Sequence, residues 1–226
     1  VPPVDIDSLA RKPVSENIYL VDGRDAGHAP PGAPVAPPPP LAPDVLFSGA
    51  ENMMSGFAAT LPGVFDLRDA RTLYLRPSAI LVRPGNPKGI QGFKDLLKPG
   101  IKVMAVSGAG QTGLWEDVAG RLGDIETGRA FRPNLVLPGA GNSAQARSQW
   151  TEDKSIDAWL IWNIWQVSNP TLADVVAVEE PYRIYRDAGA VVTRHGKANP
   201  QAQAFVEFLA SAEGRAIFKK WGWKTV

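Results

Sequence analysis

The residues best suited to chemistry in this chain of 226 residues stand in one loop, Gly108-Ala-Gly110-Gln-Thr-Gly113. The loop follows an apolar run and opens a helical pattern. A turn of this kind offers free backbone N–H groups and the positive end of a helix dipole, a setting that suits a small anion. Gln111 and Thr112 add side-chain donors. The spacing also matches G-x-G-x-x-G, but a dinucleotide needs an acid about 20 residues further on, at the end of the next strand. Residues 131–137 read Phe-Arg-Pro-Asn-Leu-Val-Leu, and Asp124 and Glu126 come too early. A P-loop fails because Leu114 follows Gly113 and no Lys-Ser/Thr pair is present. The reading without a ligand is a tight strand-to-helix turn.

Two further loops share this design. Ser48-Gly49 follows a short apolar run and precedes a helical stretch. Asn142-Ser143 follows Gly139-Ala-Gly141 and precedes another. Each alone reads as an ordinary helix N-cap. Three such loops at the C-terminal ends of parallel strands point to the crevice where open α/β sheets bind ligands. Trp159, Trp162 and Trp165, with Asn163 among them, read either as a pocket wall, as a sugar-stacking platform, or as core. His195 reads as a solvated turn residue, and His28 lies in a proline-rich stretch. With two histidines so placed and no cysteine, no metal site or cofactor is expected. No paired acids have catalytic spacing, and Ser48 is not in a G-x-S-x-G elbow.

The elements that must hold these loops begin near Asp44. Residues 1–43 carry 11 of the 21 prolines and almost no periodicity, with one possible strand at Asn17–Val21. Residues 22–43 are expected to stay outside any packed core. From Asp44 onward, strands are expected at 45–47, 73–74, 79–82 (interrupted at Pro77), 101–106, 135–137, 158–162, 175–178 and 189–193. Helical stretches are expected up to Phe57 and at 92–97, 114–121, 143–150 and, as one long element, 200–221. Alternating strands and helices imply an α/β fold with mostly parallel sheets covered on both faces.

Composition sets outer bounds. Lys and Arg number 24 against 23 Asp and Glu, so no basic field exists for nucleic acid. No apolar run approaches the ~20 residues of a membrane span. The absence of cysteine excludes thiol chemistry and fits an exported bacterial protein. Residues 1–20 show no charged start followed by an apolar core, so no signal peptide is read there.

The run from Leu75 to Gly89 (Leu-Arg-Pro-Ser-Ala-Ile-Leu-Val-Arg-Pro-Gly-Asn-Pro-Lys-Gly), the segment Gly108–Glu116, and Asp157-Ala-Trp-Leu-Ile-Trp-Asn-Ile-Trp together resemble the AcfC-like accessory colonization factors. These are extracytoplasmic solute-binding proteins related to the sulfate and molybdate receptors of ABC transporters. The ending, residues 205–223, is similar to the last helix of that larger group. The resemblance covers residues 44–226. It implies a two-lobed periplasmic-binding-protein fold of type II, with lobe I at 44–84 plus 189–226 and lobe II at 85–188. Residues 1–43 depart from the family pattern of strand, glycine loop, helix and strand, so lobe I is expected to be incomplete. Carried over by position, the ligand residues would be Ser48, Gly49 and Glu51, then Gly110, Gln111, Thr112 and Gly113, then Asn142 and Ser143, with Trp162 and Asn163 at the cleft wall. Arg76 and Ser78, on the entry to the first crossing strand, could reach the cleft.

The function expected is capture of a small, sulfate-like oxyanion in an interlobe cleft, without catalysis. The chain would be a periplasmic monomer serving an ABC permease or a membrane sensor, with neither nucleic acid nor membrane insertion involved. Two other classes stay open: an enzyme using the Gly108–Gly113 loop for a nucleotide or phosphorylated substrate, and a carbohydrate-binding protein using the tryptophans.

Overall fold

The computed structural model describes residues 13–15, 18–19 and 43–225. Two short strands, β1 (Pro13–Ser15) and β2 (Ile18–Tyr19), pair antiparallel. In chain order there follow β3 (Val45–Ser48), α1 (Glu51–Thr60), β4 (Arg71–Val82), β5 (Val103–Met104), α2 (Leu114–Ala119) and α3 (Ile125–Phe131). Then come α4 (Ser143–Glu152), β6 (Ala158–Trp162), α5 (Ile164–Ser168), β7 (Asp174–Ala177), β8 (Tyr185–Val192), α6 (Pro200–Ala210) and α7 (Ala212–Lys220). The expectation of loose packing for residues 22–43 lies outside the described residues except at Pro43, which is buried and whose carbonyl accepts from Thr193 Oγ1.

The chain divides into two compact units. Among the described residues, unit 1 holds those up to Leu75, Arg186–Lys220 and the residues from Lys224 onward, and unit 2 holds Arg76–Tyr185 and Trp221–Trp223. The first division falls inside β4 and the second at the start of β8.

In unit 1, β3 pairs antiparallel with β8, from Val45 opposite Val192 to Ser48 opposite Gly189. Alternation along β3 separates two small cores. Val45 packs with Ala190, Ala202, Val206 and Leu209, whereas Leu46 packs with Met54 and Phe57 of α1, Phe65 and Val191. The helix expected over 200–221 is two helices. Pro200 and Asn199, whose Oδ1 accepts from Gln201 N, start α6. Ser211 ends α6 in extended backbone, and its Oγ accepts from Gly214 N, a local bond that competes with helix continuation.

In unit 2, residues Ser78–Val82 of β4 run antiparallel to β6, residues Ala79–Val82 run antiparallel to β7, and β5 runs parallel to β6. The sheets are therefore mixed rather than mostly parallel. Helices α2, α3 and α4 carry the chain from β5 to β6, the crossover a parallel pair requires, whereas β4 runs the other way. β6 reads Ala-Trp-Leu-Ile-Trp and is buried at every position, as a strand covered on both faces must be. Trp159 and Trp150 are among the largest fully buried side chains, and each contributes about 1.5–3 kcal/mol through burial. Arg83, just after β4, donates to the carbonyls of Trp150, Asp153 and Ile156 at 2.6–2.8 Å. Its guanidinium lies 3.7 Å from the centre of the Trp150 ring, so one side chain fixes the turn between α4 and β6.

Several local expectations are corrected. β4 runs unbroken through Pro77, whose carbonyl accepts from the Asn163 amide at 3.2 Å; the opposing Asn163 carbonyl accepts from Gln166 at the start of α5, so the missing proline N–H leaves no acceptor unpaired there. The strand expected at 135–137 is reduced to a single bridge, Val103 to Leu135, with a second bridge beyond it, Val106 to Ala140. The helix expected at 92–97 is a 3-10 turn over Phe93–Leu97. Two short helices, α3 and α5, were not expected. α3 starts where the Asp124 carboxylate accepts from Glu126 N and Thr127 Oγ1, a cap that its weak apolar spacing obscures.

Candidate functional site

The candidate residues of unit 2 gather at the ends of β5 and β6. Beyond β5, the Ser107 amide donates to the Ala140 carbonyl at 2.8 Å, and this zips the two glycine loops side by side. The approach is close enough to need Gly139. A Cβ there would lie 2.6 Å from Ser107 Oγ and 3.0 Å from the Ala105 carbonyl. Gly113 takes a left-handed conformation (φ +73°) and starts α2 without a side-chain cap. α2 has only six residues, so its helix dipole is small. Asn142 caps α4, its Oδ1 accepting from Gln145 N at 2.9 Å.

Side chains then join the two loops. Gln111, 3% exposed, donates through Nε2 to Ser143 Oγ at 2.6 Å. Gln111 Oε1 is buried and has no hydrogen-bond partner among the described residues. A buried amide oxygen in that state costs about 1–3 kcal/mol unless something donates to it. The Trp162 indole N–H donates to the Gly110 carbonyl at 3.2 Å, tying the end of β6 to the first loop. Thr112 is exposed beside these groups.

A cation stands next to them. Arg76 is 8% exposed. Its guanidinium carbon lies 4.9 Å from the Trp162 ring centre and 5.5 Å from that of Trp223, within cation–π range of both. Asn163 Nδ2 donates to the Gly222 carbonyl at 2.6 Å and so anchors the segment that carries Trp223. Asn163 Oδ1 is also buried and lacks a hydrogen-bond partner among the described residues. Ser78, 1% exposed, accepts from the Ile184 amide, which gives its hydroxyl a structural task.

Of the expected ligand residues, unit 2 thus brings Arg76, Gly110, Gln111, Ser143 and Trp162 into one chain of contacts, with Thr112 and Gly113 in the same loop and Asn142 and Asn163 at its margins. Ser48, Gly49 and Glu51 belong to unit 1. Ser48 ends β3 and is 1% exposed, and its hydroxyl is buried with no hydrogen-bond partner among the described residues. Glu51 is the first residue of α1, and its own carboxylate accepts from Ser55 Oγ.

The three tryptophans do not form one platform. Trp159 stacks inward, 5.7 Å from Trp165 and 6.1 Å from Trp150, whereas Trp162 turns to Arg76 and Gly110. Strand alternation accounts for the opposite directions of Trp159 and Trp162. His195 is 63% exposed in its side chain, with Nε2 3.9 Å from Asp44 Oδ1. Among the described residues, no group of three or more His, Cys, Asp or Glu is arranged to hold a metal ion, and no helix is long and apolar enough to cross a membrane.

Two neighbours of the candidate residues escaped sequence reasoning. Trp223 reaches Arg76 only because the chain returns to unit 2 after α7, a tertiary event with no local signal. Asp187, whose Oδ1 accepts from the Glu51 amide at 3.0 Å, is a single acid within a strand.

Comparison with known proteins extends these observations. Residues 40–224 match the profile described as bacterial extracellular solute-binding protein. A crystal structure of PEB3 with bound L-phospholactate superposes with a TM-score of 0.74 at 32% identity, over 81% of this chain and 80% of that one. PEB3 from Campylobacter jejuni gives 0.71 at 32% identity, over 81% and 80%. The sulfate-binding protein SubI of Mycobacterium tuberculosis gives 0.69 at 17% identity, over 98% of this chain and 81% of that one, a likeness of fold alone. No curated protein matches the sequence.

Proposed function

The chain belongs to the bacterial extracellular solute-binding proteins, and from that membership we propose that it captures a small oxyanion, using the Arg76 group of unit 2. The observation that carries this reading is a nearly buried guanidinium held against two indoles, in the same chain of contacts as two glycine loops that offer neutral donors. Stacking fixes the plane of the Arg76 guanidinium, and a fixed fork loses less entropy when it meets a carboxylate or phosphate. Gln111, Thr112 and Ser143 add uncharged hydrogen-bonding groups. Sulfate-like anions fit this chemistry. So do phosphorylated carboxylates of the kind bound in the PEB3 crystal structure. Hydrogen bonds to a charged acceptor are worth about 1.5–3 kcal/mol each, so three or four suffice for micromolar affinity.

Within the family, the motifs at 75–89 and 157–165 favour the AcfC-like group. The role proposed is that of a passive receptor with no catalytic step. It would work outside the cytoplasm, in the periplasm, and deliver its ligand to an ABC permease or a membrane sensor. Ser48, Gly49 and Glu51 are the unit 1 ligand residues of this reading.

Thermal shift of the full chain against sulfate, phosphate, molybdate and L-phospholactate tests the proposal. At least one anion should raise Tm in a concentration-dependent way, as any ligand that binds only the native state must. A flat response to the whole panel, with a rise on adding sugars or nucleotides instead, would refute it.

A further inference from the structure

The Ser48–Glu51 loop of unit 1 is more than a set of donors. The amide of Glu51, at the start of α1, donates to Asp187 Oδ1 at 3.0 Å, and Thr72 Oγ1 donates to Oδ2 at 3.4 Å. Ser48 sits opposite Gly189 across β3 and β8, and Asp187 lies two residues from Gly189 along the same strand. The period of two puts Asp187 and Gly189 on one face, together with Val191. That face carries the cluster of Val191 and Leu46 with Met54 and Phe57, so it looks onto α1. Gly189 has no side chain to fill the space there. A Cβ would lie 3.5 Å from the Arg71 carbonyl, 3.7 Å from Met54 Cε and 3.8 Å from Asp187 Oδ2. The Ser48 hydroxyl, on the same face, is 1% exposed and without a hydrogen-bond partner among the described residues.

We propose that Asp187 is a specificity-determining residue, which makes this loop receive the proton-bearing side of a ligand, a hydroxyl or a protonated oxyanion oxygen, in place of a bare oxyanion. The start of a helix attracts anions through its N–H groups and dipole. Here a carboxylate of the chain itself already accepts from the first of those N–H groups and brings a full negative charge. A fully ionised oxyanion meets like charge, whereas a ligand hydroxyl can donate to a remaining lone pair of Asp187. Ser48, able to donate and accept, completes the arrangement. Selectivity of this kind rests on a repulsive element as much as on an attractive one. The proposal depends on Ser48–Glu51 being ligand residues, and it replaces neutral donors alone with a donor–acceptor pair at this loop.

Inorganic phosphate, which keeps a P–OH at neutral pH, and sulfate, which does not, are probes of matched size. Calorimetric titration of the full chain should show phosphate bound at least about tenfold more tightly than sulfate. Asp187→Asn keeps an oxygen for the Glu51 amide but turns the acceptor into a donor, so it should close or invert that ratio. Equal affinities in the wild type, no binding of either anion, or an unchanged ratio in Asp187→Asn would each overturn the proposal. If that variant does not fold, the wild-type ratio decides alone. Ser48→Ala separates the two layers. Unchanged affinity for both anions removes the loop from the ligand residues and the proposal with it. Weakened binding in Ser48→Ala beside an unchanged ratio in Asp187→Asn overturns the role of Asp187 only.

Discussion

Gln111 donates through Nε2 to the hydroxyl of Ser143 at 2.6 Å, so a single hydrogen bond ties the glycine loop after β5 to the first residue of α4. Ser143→Ala leaves that buried amide without its acceptor. It should lower stability by about 1–2 kcal/mol as well as weaken anion binding. Thr112→Ala, at an exposed position, should weaken binding with less than about 0.5 kcal/mol of stability lost. Urea melts paired with anion titrations check this. A Ser143→Ala variant as stable as wild type would show that the contact contributes nothing.

Trp162 and Trp159 should separate in fluorescence. Trp162 donates to Gly110 and faces Arg76, whereas Trp159 packs against Trp150 and Trp165. The emission change caused by the best-binding anion should vanish in Trp162→Phe and persist in Trp159→Phe. Trp159→Phe should instead lower stability by about 1–3 kcal/mol, through a packing defect in the core. A full signal from Trp162→Phe would detach β6 from the ligand.

Arg83 offers a control outside the candidate residues. Arg83→Lys cannot supply three carbonyls and a stacked plane at once. Denaturant unfolding should show about 2–3 kcal/mol lost, with anion affinity unchanged. A drop in affinity larger than the drop in stability would make Arg83 part of the binding machinery.

Acid should destabilise the fold through specific carboxylates. The hydrogen bond from the Arg68 side chain holds Asp66 well below its ordinary 3.8. The Lys98 side chain does the same for Asp95, and the Ser155 hydroxyl for Asp153. A depressed native value stabilises the fold above the unfolded value and loses that contribution as pH falls through the native one. Tm should therefore be level above about pH 5 and decline below about pH 4. The decline should be shallower in Asp66→Asn, Asp95→Asn and Asp153→Asn combined. These groups are near the surface, so the effect is modest and shrinks with added salt.

The sequence was most legible where both faces of an element are buried. Ala158–Trp162 announces β6 by an unbroken apolar run, and Asn142 announces α4 by capping chemistry. It was least legible where tertiary pairing decides. Pro77 reads locally as an interruption, yet β4 passes through it, because whether its missing N–H matters depends on where the partner strand stops. Leu135 reads as a strand residue but makes only a single bridge. Among the candidate residues, loop glycines and Gln111 could be found from spacing. The contact of Trp223 with Arg76 and the carboxylate of Asp187 at the start of α1 could not, since both depend on segments far apart in the chain.

Calorimetric titration of L-phospholactate, phosphate, sulfate and molybdate into the full chain, then into Arg76→Gln, bears most directly on the role assigned to unit 2. Arg76→Gln keeps polarity and approximate size but removes the charge held between Trp162 and Trp223. Wild type should bind at least one of the four anions with a Kd of about micromolar order, and Arg76→Gln should weaken that binding by about 10- to 100-fold, as expected for a lost charge-assisted hydrogen bond. Affinity in Arg76→Gln equal to that of wild type, or no heat from any of the four anions with wild type, would contradict oxyanion capture by these residues.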